Sequence, residues 1–171
     1  MRSSAASDVY KRQPYSGLTG MRSDNMYQRN DFDLNGSVSL SPVEGREVEL
    51  LGRFIVGTET FGFKVFKNGS GEGSISYNPN TGELIADFSR LTRLVNDGGV
   101  YNGIYRCSLP EFQRSGAELK LNVFIDHSIV DIFINDRWAT SIRVFPTDAD
   151  ASGITAYSTG NVKVKEMHAW T

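Results

Sequence analysis

An all-β fold, a two-sheet antiparallel β-sandwich of the jelly-roll or concanavalin-A-like lectin type, is predicted by three features of this sequence. Roughly ten to twelve short segments alternate apolar and polar residues with a period of two, which is typical of half-buried strands. Turn-forming residues separate the segments at regular intervals, and no segment has convincing helical periodicity. Chains with many short strands and frequent turns fold as sandwiches or barrels.

The composition limits the classes of function. The chain has 171 residues, enough for one domain with a core, and a net charge of −2 without a block of Lys or Arg. Neither nucleic acid nor an anionic membrane surface is therefore expected as a partner. The single cysteine, Cys107, excludes an internal disulfide and a cysteine-ligated metal site, and His127 and His168 lack the spacing of metal ligands. We expect no metal and no cofactor.

The N-terminal region differs in character from the rest of the chain. Residues 1–13, "MRSSAASDVYKRQ", are polar and aperiodic, and we expect a non-native or disordered leader. They resemble a translated sequencing-adaptor fragment from assembled environmental DNA, which implies that the natural protein is longer. Residues 14–30 have few apolar anchors and are predicted to be a linker remnant. Regular strand signals begin at Asp31, so the sandwich domain is predicted to span 31–171.

Hairpins are predicted along the first half of the domain. Ile75 and Tyr77 are expected to face Leu84, Ala86 and Phe88 across a turn at "NPNTG". The segment that follows, residues 89–112, is long and irregular, and it contains three arginines and two tyrosines. Long ordered loops often carry function.

The stretch "LKLNVFIDHSIVDIFINDRWATSIRVFP", residues 119–146, is predicted to form a three-stranded meander. The alternation breaks at "DHS" and again at "NDR", which we interpret as turns. Asp126, His127 and Ser128 have the letters of a hydrolytic triad, but triad members converge from separate elements, so a turn is the better interpretation. The predicted core residues of this region are Val123, Ile125, Ile132 and Phe145.

The same stretch resembles the C-terminal β-sandwich of glycoside hydrolase family 32, the family of invertases, levanases, inulinases and other β-fructosidases. The family pattern Phe-x-Asp-x-Ser-x-Val-Glu-x-Phe-x-Asn-Asp-Gly is matched except that His127, Asp131 and Arg137 replace its common Arg, Glu and Gly. Residues 62–90 and the ending "VKVKEMHAW" resemble its early hairpins and last strand, with Phe88 replacing an Arg. The resemblance covers residues 31–171.

The resemblance implies a module separated from its catalytic partner. In the family, hydrolysis belongs to an N-terminal five-bladed propeller, whose Asn-Asp-Pro-Asn-Gly, Arg-Asp-Pro and Glu-Cys motifs do not occur in this sequence. We therefore expect no enzymatic activity of the chain itself, although the parent is implied to be a β-fructosidase. The implied location of that parent is extracellular or periplasmic, with a cytoplasmic one also open.

Two functions of different classes remain open for such a sandwich. In the first, it docks on the catalytic propeller and stabilises it. In the second, it is a carbohydrate-binding module for a fructan such as levan or inulin, with charged groups and aromatic rings that recognise sugar hydroxyls and ring faces. The candidate carbohydrate-binding residues are Asp126, Arg143, Arg90, Glu83, Trp138, Tyr101 and Tyr105.

Overall fold

The computed structural model describes residues 13–68, 71–91, 103–146 and 150–171. Within these ranges the chain forms ten strands and two short 3-10 helices, Ser16–Met21 and Pro110–Phe112. The strands are β1 (Met26–Ser39), β2 (Glu47–Ile55), β3 (Phe61–Lys67), β4 (Gly73–Asn78), β5 (Glu83–Asp87), β6 (Ile104–Ser108), β7 (Glu118–Asp126), β8 (Ile129–Ile134), β9 (Trp138–Arg143) and β10 (Gly153–Trp170). None of the described helices has the length and hydrophobicity of a membrane span.

The strands form two antiparallel half-sheets that share the long strand β10. Residues 153–158 of β10 pair with β3, in a first half-sheet of order β6-β5-β4-β3-β10. Residues 164–170 pair with β2, in a second half-sheet of order β10-β2-β7-β8-β9. Strand β1 pairs along the other edge of β10. The predicted antiparallel sandwich is confirmed, and its hydrogen bonding continues from one half-sheet to the other through β10.

An apolar core lies between the half-sheets. The ring of Phe54 on β2 stacks on Phe61 of β3 at a centroid distance of 4.5 Å, which joins the two layers. Tyr77 is fully buried, and its hydroxyl donates to the carbonyl of Leu109 at 3.0 Å. The predicted pairing is confirmed for Ile75, which lies opposite Ala86, and for Tyr77, which lies opposite Leu84, whereas Phe88 is buried one residue beyond the end of β5. Local alternation predicted this hairpin because both of its strands are buried on one face.

Three of the four predicted core residues of the meander, Val123, Ile125 and Ile132, are buried. Phe145 is 40 % exposed, so its prediction was wrong. Ile142 faces inward opposite Val130, and the buried Val144 continues the same alternation. Successive residues of an extended chain point to opposite faces, so Phe145, which follows the buried Val144, points outward.

The two predicted turns of the meander are confirmed. Asp126 pairs with Ile129, so the first hairpin has a two-residue turn, and His127 has a φ of 51°. In the second turn, the side chain of Asn135 accepts from the backbone N–H of Lys120 at 2.7 Å and donates to the carbonyl of Glu118 at 2.9 Å. His and Asn tolerate positive φ better than most residues.

The first strand begins earlier than the sequence predicts. Strand β1 starts at Met26, opposite Trp170, and not at the predicted domain start, residue 31. Residues 26–30 are almost all exposed, so the segment shows no apolar alternation, and only backbone pairing with β10 makes it a strand. Of the predicted leader 1–13, residues 1–12 lie outside the described part of the chain.

Candidate functional site

Asp126 and Arg143 lie on the same face of the second half-sheet. In the strand register Asp126 is opposite Ile129, and Ile129 is opposite Arg143, so the three form one row across β7, β8 and β9. With strands about 4.8 Å apart, the backbones of Asp126 and Arg143 are about 10 Å apart. The Ile129 side chain between them is 43 % exposed.

The turn at His127 forms an exposed cluster of charges. His127 Nδ1 lies 2.9 Å from Asp126 Oδ1, and its Nε2 lies 3.4 Å from Glu47 Oε1. The hydrogen bond with Asp126, followed by the charge of Glu47, raises the pKa of His127. Both ring nitrogens are directed to carboxylates, which leaves neither for the hydroxyl of Ser128. The arrangement lacks the base–nucleophile contact of a hydrolytic triad.

Glu47, Asp126 and His127 are also close enough together to be considered as metal ligands, and they are the one such group in the described part of the chain. Their ligand atoms lie within 4.8 Å of one another, and all three residues are exposed. Sequence reasoning missed the grouping because Glu47 lies on β2, far from the turn in sequence, and only the β2–β7 pairing brings it beside Asp126. The contacts of the imidazole account for the cluster as ion pairs, so we assign no metal to it.

The remaining predicted carbohydrate-binding residues do not join Asp126 and Arg143. Glu83 lies on β5, where its Oε2 is 3.6 Å from Nη1 of Arg106. Arg90 is exposed beyond the end of β5, and Tyr105 on β6 packs against the core. Tyr101 lies outside the described residues.

Trp138 lies at the opposite end of β9 from Arg143. Its side chain is 37 % exposed, and the guanidinium of Arg137 lies 5.3 Å from the ring centroid. The described candidates are thus divided between the β7–β9 meander and the β5–β6 region.

A site absent from the sequence prediction lies where the N-terminal segment crosses the second half-sheet. Arg22 donates through Nε and Nη2 to the two carboxylate oxygens of Glu49, at 2.7 and 2.8 Å. Asn122 also donates to Glu49, at 3.3 Å, and the Arg22 guanidinium lies 3.8 Å from the Trp170 ring centroid. The hydrogen bond to Glu49 raises the pKa of Arg22. The Glu49 side chain is only 7 % exposed, so this pair fixes the segment to the sheet.

A cavity of about 210 Å³ lies between this segment and the sheet, with Tyr15, Arg22, Asn122 and Phe124 in its lining. Among the described residues, Asn122 Oδ1 is one of the buried polar atoms that lack a hydrogen-bond partner. Sequence reasoning gave no signal for this site, because Arg22 occurs in a segment predicted as linker and Glu49 in an ordinary strand.

One family model matches most of the chain. The sequence model described as "Glycosyl hydrolases family 32 C terminal" matches residues 18–171. Among curated proteins, none matches the chain significantly.

Solved structures share the fold. A fructosyltransferase from A. japonicus has a TM-score of 0.75 at 16 % identity, with 90 % of this chain and 27 % of that chain covered. Fructan 1-exohydrolase IIa from Cichorium intybus has a TM-score of 0.75 at 17 % identity, with 93 % and 37 % covered. Sucrose-6-phosphate hydrolase from Lactobacillus gasseri has a TM-score of 0.69 at 22 % identity, with 93 % and 30 % covered. The chain therefore spans well under half the length of these enzymes.

Proposed function

Because this chain belongs to the C-terminal domain family of glycoside hydrolase family 32, we propose that it is the non-catalytic sandwich module of a fructan- or sucrose-degrading enzyme. In this role it docks on the catalytic propeller of the parent and stabilises it. The proposal rests on the extent of the structural match. The match covers 90 to 93 % of this chain but only 27 to 37 % of three similar enzymes.

The carboxylates of the meander support a non-catalytic role. Retaining glycosidases need two carboxyl groups about 5 Å apart, one of them kept protonated by an apolar environment. Asp126 and Asp131 are diagonal neighbours in the β7–β8 register, a relation that separates backbone positions by about 7–8 Å. The Asp126 side chain is 78 % exposed, and Asp131 accepts a hydrogen bond from Ser141. Neither has the enclosure of a general acid.

The fructan connection of the parent is part of the proposal. The similar structures include a fructosyltransferase and a fructan exohydrolase. A β-fructosidase is therefore the parent activity that we infer for this module.

The test of the catalytic claim is an assay of the pure chain with sucrose, inulin and levan. We expect no release of fructose, because the propeller motifs implied by the family are missing. The full-length parent enzyme serves as the positive control. Sustained fructose release by the isolated chain would refute the non-catalytic role.

Fructan binding is the alternative, and its support is the common face of Asp126 and Arg143. It predicts that Asp126→Ala and Arg143→Ala each abolish binding without loss of stability. Calorimetric titration with levan and inulin oligosaccharides, in the micromolar to millimolar range of a site with few contacts, measures this. Absence of heat for the wild-type chain at millimolar sugar leaves docking as the function.

A further inference from the structure

We propose that the cavity between the N-terminal segment and the second half-sheet binds a small neutral polyol, a molecule with several hydroxyl groups and at most the size of a monosaccharide. Neither Asp126 nor Arg143 lines this cavity, so the site is separate from the one considered for fructan binding. The binding of a polyol here goes beyond the docking function and does not depend on it.

The floor of the cavity is formed by outward-facing side chains of the sheet. Lys120, Asn122 and Phe124 occupy alternate positions of β7, so their side chains point to the same face, away from the core. Glu49 on β2 lies opposite Phe124 in the strand register. Strand pairing therefore places an ammonium, an amide, an aromatic ring and a carboxylate side by side.

The roof of the cavity is formed by the N-terminal segment. Tyr15 and residues of the 3-10 helix Ser16–Met21 line it from above. Arg22 follows this helix directly and holds the segment on the sheet through its two hydrogen bonds to Glu49. The roof is thus attached to the floor by a shielded ion pair, next to the space in which a ligand binds.

The charges around the cavity favour a neutral ligand. Arg22 is paired with Glu49, and Lys120 Nζ lies 2.9 Å from both carboxylate oxygens of Asp136. All four side chains belong to the lining. An ionic ligand would have to break one of these pairs or lie beside a like charge, which is unfavourable. A neutral molecule can accept from the cations and donate to the carboxylates while both pairs remain.

Asn122 supplies an acceptor that the chain itself does not use. The residue is 6 % exposed, and its Nδ2 donates to Glu49 at 3.3 Å. A carboxylate only accepts, so this contact fixes the orientation of the amide and leaves Oδ1 without a partner. A buried acceptor without a hydrogen bond is unfavourable, and a ligand hydroxyl removes that cost. Because Oδ1 is buried, a ligand reaches it when the N-terminal segment shifts slightly from the sheet.

The size and the walls of the cavity define the class of ligand. Its volume of about 210 Å³ is below the range of about 300–1,000 Å³ typical of sites for drug-sized molecules, so the ligand is small. The half-buried ring of Phe124 offers an apolar wall for the C–H groups of a polyol. The charged groups of Lys120 and Asp136 suit adjacent hydroxyls, because hydrogen bonds to ionised groups are the stronger ones.

The experiment is an NMR titration of the isotope-labelled chain with glycerol and with D-fructose. We expect saturable shifts centred on the side-chain amide of Asn122, with a Kd in the millimolar range because a small ligand makes few contacts. Asn122→Leu removes the amide at similar volume and should weaken binding about tenfold. Thr155→Val is the matched control, since it removes another buried polar atom without a partner at a residue outside the lining. It should leave the affinity unchanged.

A second variant is needed because Asn122 also contacts Glu49. A chain that begins at Met21 lacks the roof but keeps the Arg22–Glu49 pair, and its affinity should fall as well. Thermal unfolding shows that each variant is folded. Absence of a saturable shift with either polyol would mean that the cavity holds water only, and would overturn the proposal. Binding that survives both changes, or shifts centred on Asp126 and Arg143, would also overturn it. Glycine is the charged comparator, and binding of glycine without binding of the polyols would show that the ligand class is wrong.

Discussion

Ile132 provides the most direct test of which face of β8 points into the core. Its side chain is fully buried on β8. Ile132→Ala should lower the free energy of unfolding by about 2–5 kcal/mol, because it removes buried aliphatic groups and leaves a cavity. Ile129→Ala, at a 43 % exposed position on the same strand, is the control and should change it by less than about 0.5 kcal/mol. Denaturant unfolding measures both, and equal effects would contradict the assigned faces.

His127 should make the stability of the folded chain depend on pH. Its pKa is raised in the folded state by the hydrogen bond with Asp126 and by Glu47. This stabilisation is present below the unfolded pKa of about 6.5 and is lost as the pH rises through the folded pKa. The Tm of the wild type should therefore fall slightly more across that interval than the Tm of His127→Asn. NMR titration of the imidazole gives the pKa directly, and a value below that of a free histidine would contradict the contacts.

At the scale of elements, the Arg22–Glu49 pair joins the N-terminal segment to β2 and β7. Arg22→Ala should cost about 1.5–3 kcal/mol, because it leaves the shielded carboxylate of Glu49 without its charged partner. The double variant Arg22→Ala/Glu49→Gln should cost less, since the unpaired charge is removed as well. Arg53→Ala breaks exposed ion pairs with Glu118 and Glu166 and is the control, with an expected cost under about 1 kcal/mol. Additive single effects in the double-mutant cycle would show that the pair is uncoupled.

At the scale of the whole molecule, we predict that the N-terminal region divides into a dispensable and a required part. Deletion of residues 1–13 should leave the Tm nearly unchanged, because their sequence lacks apolar periodicity. Deletion of residues 1–25 removes Arg22 and should lower the Tm by several degrees. Thermal unfolding of the two truncated chains measures this. A large loss in the shorter deletion would show that residues 1–13 belong to the fold.

The sequence by itself determined the all-β class, the hairpin of Ile75 and Tyr77, and the turns at His127 and Asn135. These features depend on neighbours in sequence, because alternation sets the face of each strand and turn residues set the register. The candidate carbohydrate site stays a prediction. Asp126 and Arg143 share a face, but the other described candidates lie elsewhere.

Only the tertiary structure decided the features that join distant segments. Strand β1 begins at Met26 because β10 supplies its hydrogen-bond partners, although residues 26–30 show no apolar alternation. Gly62 is required because a Cβ there would lie 2.0 Å from the carbonyl oxygen of Ile75 on the adjacent strand. Arg22 meets Glu49 only once the N-terminal segment crosses the sheet. Contacts between segments far apart in the chain leave no local pattern, so packing and strand pairing alone fix them.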